Sequence, residues 1–289
     1  MDFKQTPMLT SRTAFIATVF VALSISINAQ ETISIGKTTE MDTGKVVRIE
    51  PPSTPVRTLS LEAFGGYAVD MNSAADLTLP DIPTCCPGYD GATGGGFVGG
   101  LGMQLPLSNT LEFVGRLTLH STSVTQASTE AIKVRDGNTA IDATINHELT
   151  SSMAIVSVEP AIMYRLSEGF GLLAGFRVGS LMSATYTQQE KLDDGIAYDY
   201  SDGSGIRNSS SGNIPQTSAL QFGMVFGARY ALPLNASKTF HLVPEVQYSP
   251  LFTSFISGQS WSVSSLRMMV GVVYDLTTKQ ASANPLRPK

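Results

Sequence analysis

The chain has 289 residues, of which 42% are hydrophobic and 15% charged, and its formal net charge is −5. That length suffices for a sizeable core. No Lys/Arg cluster is present to neutralise a phosphate backbone, which excludes nucleic acid as a partner, and two cysteines exclude a disulfide scaffold and a Cys-rich zinc module.

Lys4 and Arg12 precede an apolar run at residues 14–23, and Ala29 is a small residue suited to cleavage, so residues 1–29 read as a secretory signal peptide. The run is too short to cross a bilayer of about 30 Å as a helix. Its removal takes away Lys4, Arg12 and Asp2 and leaves a net charge of −6. Residues 30–57 are polar and carry Pro51, Pro52 and Pro55, which keep the chain extended as an N-terminal arm or linker.

Residues 58–276 then repeat one pattern eight times, apolar residues alternating with small or polar ones, the period of a two-faced strand. The first three segments set Leu59, Leu61 and Tyr67 against Glu62 and Phe64; Phe97, Leu101, Met103 and Leu105 against Gly100, Gly102 and Gln104; and Leu111, Phe113, Leu117 and Leu119 against Glu112, Arg116 and His120. The fourth sets Val156, Val158, Pro160, Ile162 and Tyr164 against Ser157, Glu159, Ala161, Met163 and Arg165. The fifth sets Leu172, Ala174, Phe176 and Val178 against Leu173, Gly175, Arg177 and Gly179. In the sixth, Leu220 to Leu232 in steps of two oppose Gln221, Gly223, Val225, Gly227 and Arg229. The seventh sets Phe240, Leu242, Val246 and Tyr248 against His241, Glu245 and Gln247. The eighth sets Leu266, Met268, Val270, Val272, Tyr274 and Leu276 against Ser265, Arg267, Met269, Gly271, Val273 and Asp275. Pro160 and Pro244 interrupt their segments, so a bulge or a local change of register is expected at each.

The links alternate. Short ones at 106–110, 167–169 and 233–238 read as hairpin turns, and long polar ones at 71–94, 122–151 and 187–217 read as loops at the opposite end. A soluble sandwich also alternates, with its polar face in water. Here, however, the polar faces hold glycines interleaved with lone Arg or Glu, and lysine is absent from all eight segments. An inward, crowded, charged face explains this better. Backbone in lipid must be satisfied internally, so a membrane strand belongs to a closed barrel with an apolar band outside. The expected fold is an all-β, eight-stranded antiparallel up-and-down transmembrane barrel spanning residues 58–276, with a C-terminal tail at 277–289.

By this pattern residues 58–276 resemble the small eight-stranded outer-membrane barrels of the OmpA/OmpX type, and more loosely the outer-membrane barrel domains of Bacteroidetes-like bacteria. Within the last strand VGVVYDL looks like an outer-membrane assembly signal, although Leu276 is followed by a polar tail rather than ending the chain in Phe. The resemblance implies contact with outer-membrane lipid and recognition by the barrel-assembly machinery through Val270, Val272, Tyr274 and Leu276. It also implies a periplasmic arm and tail, surface-exposed loops able to meet a ligand, and interface girdles that include Tyr164, Tyr230, Tyr248 and Tyr274.

The inward face carries Glu62, Glu112, Glu159 and Glu245 with Arg116, Arg165, Arg177, Arg229 and Arg267. An eight-stranded barrel is just wide enough for side chains to fill it, and buried charges persist only when paired. An ion-pair network that plugs the lumen is therefore expected, with a gated ion path as the alternative. His120–Ser121 is similar to the His/Ser pairs of outer-membrane lipid A deacylases, but His120 falls inward, so a lipid hydrolase is the second alternative. The reading favours a non-enzymatic protein with a structural or adhesin-like role and no cofactor or metal. Adjacent Cys85 and Cys86 in the first loop suggest a vicinal disulfide, or else a metal or intermolecular role. In the third loop Glu190, Asp193, Asp194, Asp199 and Asp202 outnumber Lys191 and Arg207. Without calcium-ligand spacing this is a solvated tip, where Tyr198 and Tyr200 suit partner contact.

Overall fold

The computed structural model describes residues 56–80, 82, 88–136, 139–192 and 205–278. The proposed signal peptide, Cys85, Cys86, Asp193, Asp194, Tyr198, Asp199, Tyr200 and Asp202 lie outside them. Ten strands follow in order: β1 Val56–Ala74, β2 Thr93–Pro106, β3 Leu111–Asp136, β4 Thr139–Arg165, β5 Phe170–Leu192, β6 Ile206–Asn213, β7 Leu220–Tyr230, β8 Leu232–Pro233, β9 Phe240–Pro250 and β10 Trp261–Thr278.

Eight of these close into one antiparallel ring in the order β1, β2, β3, β4, β5, β7, β9, β10, with β10 pairing back onto β1 from Val56↔Thr278 to Ala74↔Trp261. Closure satisfies both edges of every barrel strand. The strand β6 pairs only with β5, and β8 with β9. The alternation places one residue set outside and its neighbours inside. Leu61, Phe97, Leu101, Leu117, Phe176 and Val270 are exposed on the outer wall, Phe97 to 75%. Glu62, Gln104, Arg116, Glu159, Arg177, Arg229, Glu245 and Arg267 are buried on the inner one.

Neither proline produces a bulge. Pro160 stays in register with Gly115 and Pro244 with Val270, while neither has a ladder partner on its other side, on β5 and β7. A residue without an N–H drops one neighbour's ladder and keeps the other. The register shifts fall elsewhere, at Arg57/Leu59, Ala154/Ile155 and Gln188/Glu190.

The segment 122–151 is not a loop. β3 and β4 run on as a continuous ladder to Asp136↔Thr139, β5 accompanies them to Leu192, and β6 adds a fourth strand. At 26 and 27 residues, β3 and β4 far exceed the roughly 9–11 residues a membrane strand needs. Ser123, Thr125, Thr129, Thr144 and Thr150 stand here where the barrel strands carry outward apolar residues and hid the alternation, although β-branched residues and the Asp136–Gly137 pair are strand and hairpin signals. Lys133 and Lys191 belong to this protruding sheet.

Three apolar clusters are buried. The largest, at the loop end, gathers Leu77, Leu79 and Tyr89 from the first link, Phe255 and Ile256 from the last, and Trp261 at the start of β10. Near the turns lies a smaller one of Val114, Ala161, Met163, Leu173 and Val225. A third, Val134, Ala143, Ile145 and Leu192, sits on the protruding sheet.

Close approach of β2 to β3 depends on glycine. A Cβ on Gly100 would meet the carbonyl oxygen of Leu117 and lie 3.0 Å from the Phe64 ring. Gly100→Ala is expected to destabilise the barrel by about 1–3 kcal/mol, the usual cost of overpacking. The urea midpoint of refolded protein in lipid vesicles measures this, and an unchanged midpoint would contradict the packing account.

Candidate functional site

The inward residues of different strands converge in layers along the barrel. Nearest the turns, Glu112 pairs with Arg165, which is 34% exposed, and Ser60 Oγ donates to Asp275 Oδ1 at 2.5 Å with His241 Nδ1 3.7 Å from Asp275 Oδ2. Glu112 thus pairs with Arg165 at the rim rather than with the central charges, across the cluster formed by Val114 and its neighbours.

Above that cluster, four groups form a closed cycle. Arg116 Nη2 lies 3.0 Å from Glu62 Oε1 and 2.6 Å from Glu245 Oε2, while Arg229 Nη2 lies 2.8 Å from Glu62 Oε1 and its Nε 3.4 Å from Glu245 Oε2. Gln104 Nε2 donates to Glu62 Oε2 at 3.1 Å and Gln247 Nε2 to Glu245 Oε1 at 2.5 Å, so the carboxylates find further donors. The Phe64 ring lies 4.9 Å from the Arg116 guanidinium carbon, a cation–π contact.

The next layer holds Glu159 between Arg267 Nη1 at 2.8 Å and Arg177 Nε at 3.5 Å. Ser157 Oγ donates to Glu159 Oε1 at 3.3 Å and accepts from Arg177 Nε at 3.2 Å. Arg177 Nη2 is 3.4 Å from His120 Nδ1, and His120 Nε2 is 3.2 Å from Asp70 Oδ2, whose Oδ1 accepts from Ser265 Oγ at 2.5 Å.

Ring position explains these meetings. β3 and β9 stand four places apart in a ring of eight, and so do β4 and β10. Arg116 to Glu245 and Arg267 to Glu159 are thus bridges across the full width of the lumen, which only long side chains can make. Such groups are stable in a low-dielectric interior only as partners, because an isolated buried charge costs several kcal/mol.

Asp70 and His120 form a contact that the sequence reading missed. Asp70 continues the inward parity of Glu62 along β1, beyond Tyr67, where the sequence pattern stopped being strict. His120 and Ser121 occupy opposite faces of β3. His120 is buried in the lumen, whereas the Ser121 hydroxyl accepts from the Phe97 N–H at 3.1 Å, so the two do not act as a pair. On the protruding sheet His147 lies 3.5 Å from Glu130 and 3.7 Å from Glu190, and Glu190 accepts from Arg207 Nε at 2.7 Å. Among the described residues no three His, Cys, Asp or Glu side chains form a metal site.

No protein-family model matches the chain, and no curated protein matches it either. Among solved structures, the attachment invasion locus protein Ail of Yersinia pestis is similar at 13% identity over 76% of this chain and 100% of that one, with a TM-score of 0.34. Neisserial surface protein A is similar at 12% identity over 75% and 97%, with a TM-score of 0.30. The outer membrane protease OmpT of Escherichia coli is similar at 8% identity over 77% and 98%, with a TM-score of 0.33. The expectation of a non-enzymatic protein is corrected here: with a protease among the similar structures, the barrel architecture does not exclude catalysis. The fold class itself rests on the closed ring of strands described above.

Proposed function

We propose that this chain is an integral outer-membrane barrel whose protruding sheet and loops face outward for surface recognition. Residues 1–29 export it, the last strand engages the assembly machinery through Val270, Val272, Tyr274 and Leu276, and the arm and tail lie in the periplasm. By pattern residues 58–276 resemble the small OmpA/OmpX-type barrels and, more loosely, the Bacteroidetes-like ones.

One observation carries this reading. A closed ring of strands turns its apolar residues outward and its charged ones inward, the reverse of a water-soluble protein. Tyr164, Tyr230, Phe240 and Tyr274 are exposed at the turn end, with Phe240 and Tyr274 ring centroids 4.6 Å apart, as suits an interface girdle. Exposed Tyr248 lies toward the other end of β9.

The cycle of Arg116, Glu62, Arg229 and Glu245 and the apolar loop cluster support a lumen closed at two levels. Reconstituted into planar bilayers, the barrel is expected to show no steady conductance, and an open channel would overturn the closed lumen.

The lipid-facing wall is tested separately. Leu117→Arg places a charge within the apolar belt and is expected to cost up to about 2–4 kcal/mol, the penalty for a basic side chain near a bilayer midplane. Thr125→Arg, on the same face of β3 but in the protruding sheet, is expected to cost far less. Equal urea midpoints for both variants in lipid vesicles would sink the membrane reading.

A further inference from the structure

The upper charged layer is short of acceptors. Glu159 Oε1 is shared by two guanidiniums, those of Arg267 and Arg177, which are 0% and 1% exposed. The other carboxylate at this level, Asp70, accepts from Ser265 through Oδ1, and its Oδ2 lies 3.2 Å from His120 Nε2 without making a hydrogen bond. Three buried guanidinium nitrogens, Arg177 Nη1 and Arg267 Nε and Nη2, then have no hydrogen-bond partner. The hydroxyls of Thr118 and Ser249, also wholly buried, have none. Thr118 lies across the ladder from Ser157, and Ser249 across from Ser265, so both flank the same layer.

A guanidinium carries only N–H donors, and a buried donor left unmade is expensive. The lower cycle is better satisfied, since Arg116 there reaches two carboxylates, both carboxylates receive a second guanidinium, and a single guanidinium nitrogen, Arg229 Nη1, is left without a partner. We propose that the guanidiniums of Arg177 and Arg267, long enough to meet at Glu159 inside the ring, hold a small inorganic anion of halide size in the closed lumen. This goes beyond the barrel reading: the barrel would stand without the anion. The site makes the upper layer a built anion seat rather than a self-sufficient ion pair, and it supplies an acceptor for the nitrogens that Ser157, His120 and Gln247 do not reach. A halide fits because the ring leaves room for side chains and little else, and because a monatomic acceptor takes hydrogen bonds from any direction.

The barrel refolded in sodium bromide and crystallised from it is examined at the bromine absorption edge. An anomalous peak within hydrogen-bonding reach of Arg177 Nη1 and Arg267 Nη2 is expected. Bromide elsewhere on the protein but only water at this position overturns the proposal. In parallel, the temperature at which the compact, unboiled gel form is lost is compared in sodium bromide and in sodium gluconate of equal ionic strength, gluconate being too large for the seat. A rise of about 2–4 °C in bromide is expected, and Arg177→Gln is expected to abolish it. Equal temperatures for the unaltered barrel overturn the proposal, and a crystal peak without that rise means binding at crystal concentration only, which overturns it too. The comparison of salts uses the unaltered chain and stands even if the variant fails to fold.

Discussion

Arg116→Ala is expected to destabilise the barrel by about 3–5 kcal/mol, the cost of removing one partner from a buried ion-pair network. Its guanidinium serves Glu62 and Glu245 together, on the two strands β1 and β9 that flank β10, and alanine leaves Arg229 alone with two carboxylates. The measurement is the urea midpoint in lipid vesicles, followed by the fluorescence of the single tryptophan, Trp261. Arg116→Lys is expected to rescue only part of the loss, because one ammonium cannot present the planar fork that reaches both acids. Arg116→Met combined with Glu245→Gln keeps Arg229 on Glu62 and is expected to recover most of it. If Arg116→Ala and the double variant unfold alike, the charges are not coupled as the distances indicate.

Trp261→Ala tests the other closure. Trp261 is wholly buried, its ring lies 5.6 Å from that of Phe255, and its Nε1 donates to Asn72 Oδ1 at 3.1 Å. It therefore ties the last link to the first strand at the loop end. Truncation is expected to cost about 3–5 kcal/mol, as for other buried aromatics. The links that carry Leu77, Tyr89, Phe255 and Ile256 are expected to become open to protease from outside while the barrel strands stay protected. Limited proteolysis of vesicles followed by mass analysis of fragments reads this directly, and an unchanged cleavage pattern would show that the loop cluster does not depend on Trp261.

Much of the architecture was legible because lipid and lumen impose opposite demands on alternate residues. Every outward and inward assignment from Leu59 to Leu276 follows from that parity, and a slip of one residue would have put Arg229 or Arg267 in lipid. The loop end was harder. The protruding half of β3 and β4 has water available on at least one face, so Thr125, Thr129, Thr144 and Thr150 satisfy a strand without an apolar signal. The links give the loop cluster Leu77, Leu79, Phe255 and Ile256, which lie outside the regular strands, and no period announces their burial.

At the charged site, the sequence places residues on a face but not against each other. That Arg116 meets Glu245 and Arg267 meets Glu159 depends on ring closure and strand stagger, which bring together residues 129 and 108 positions apart. Asp70 was within reach of the same reasoning, since it shares the parity of Ser60 and Glu62. It stands before the link at 71–94, but the strict alternation ends at Tyr67, and without it His120 has no partner in the sequence.

The central claim is that this chain lives in the outer membrane as a closed barrel. Fractionation of cells that express it, followed by gel mobility with and without boiling in detergent, tests that claim most directly. Recovery in the outer membrane with a compact form that shifts on boiling is the predicted result; a soluble periplasmic protein with a single mobility would contradict it.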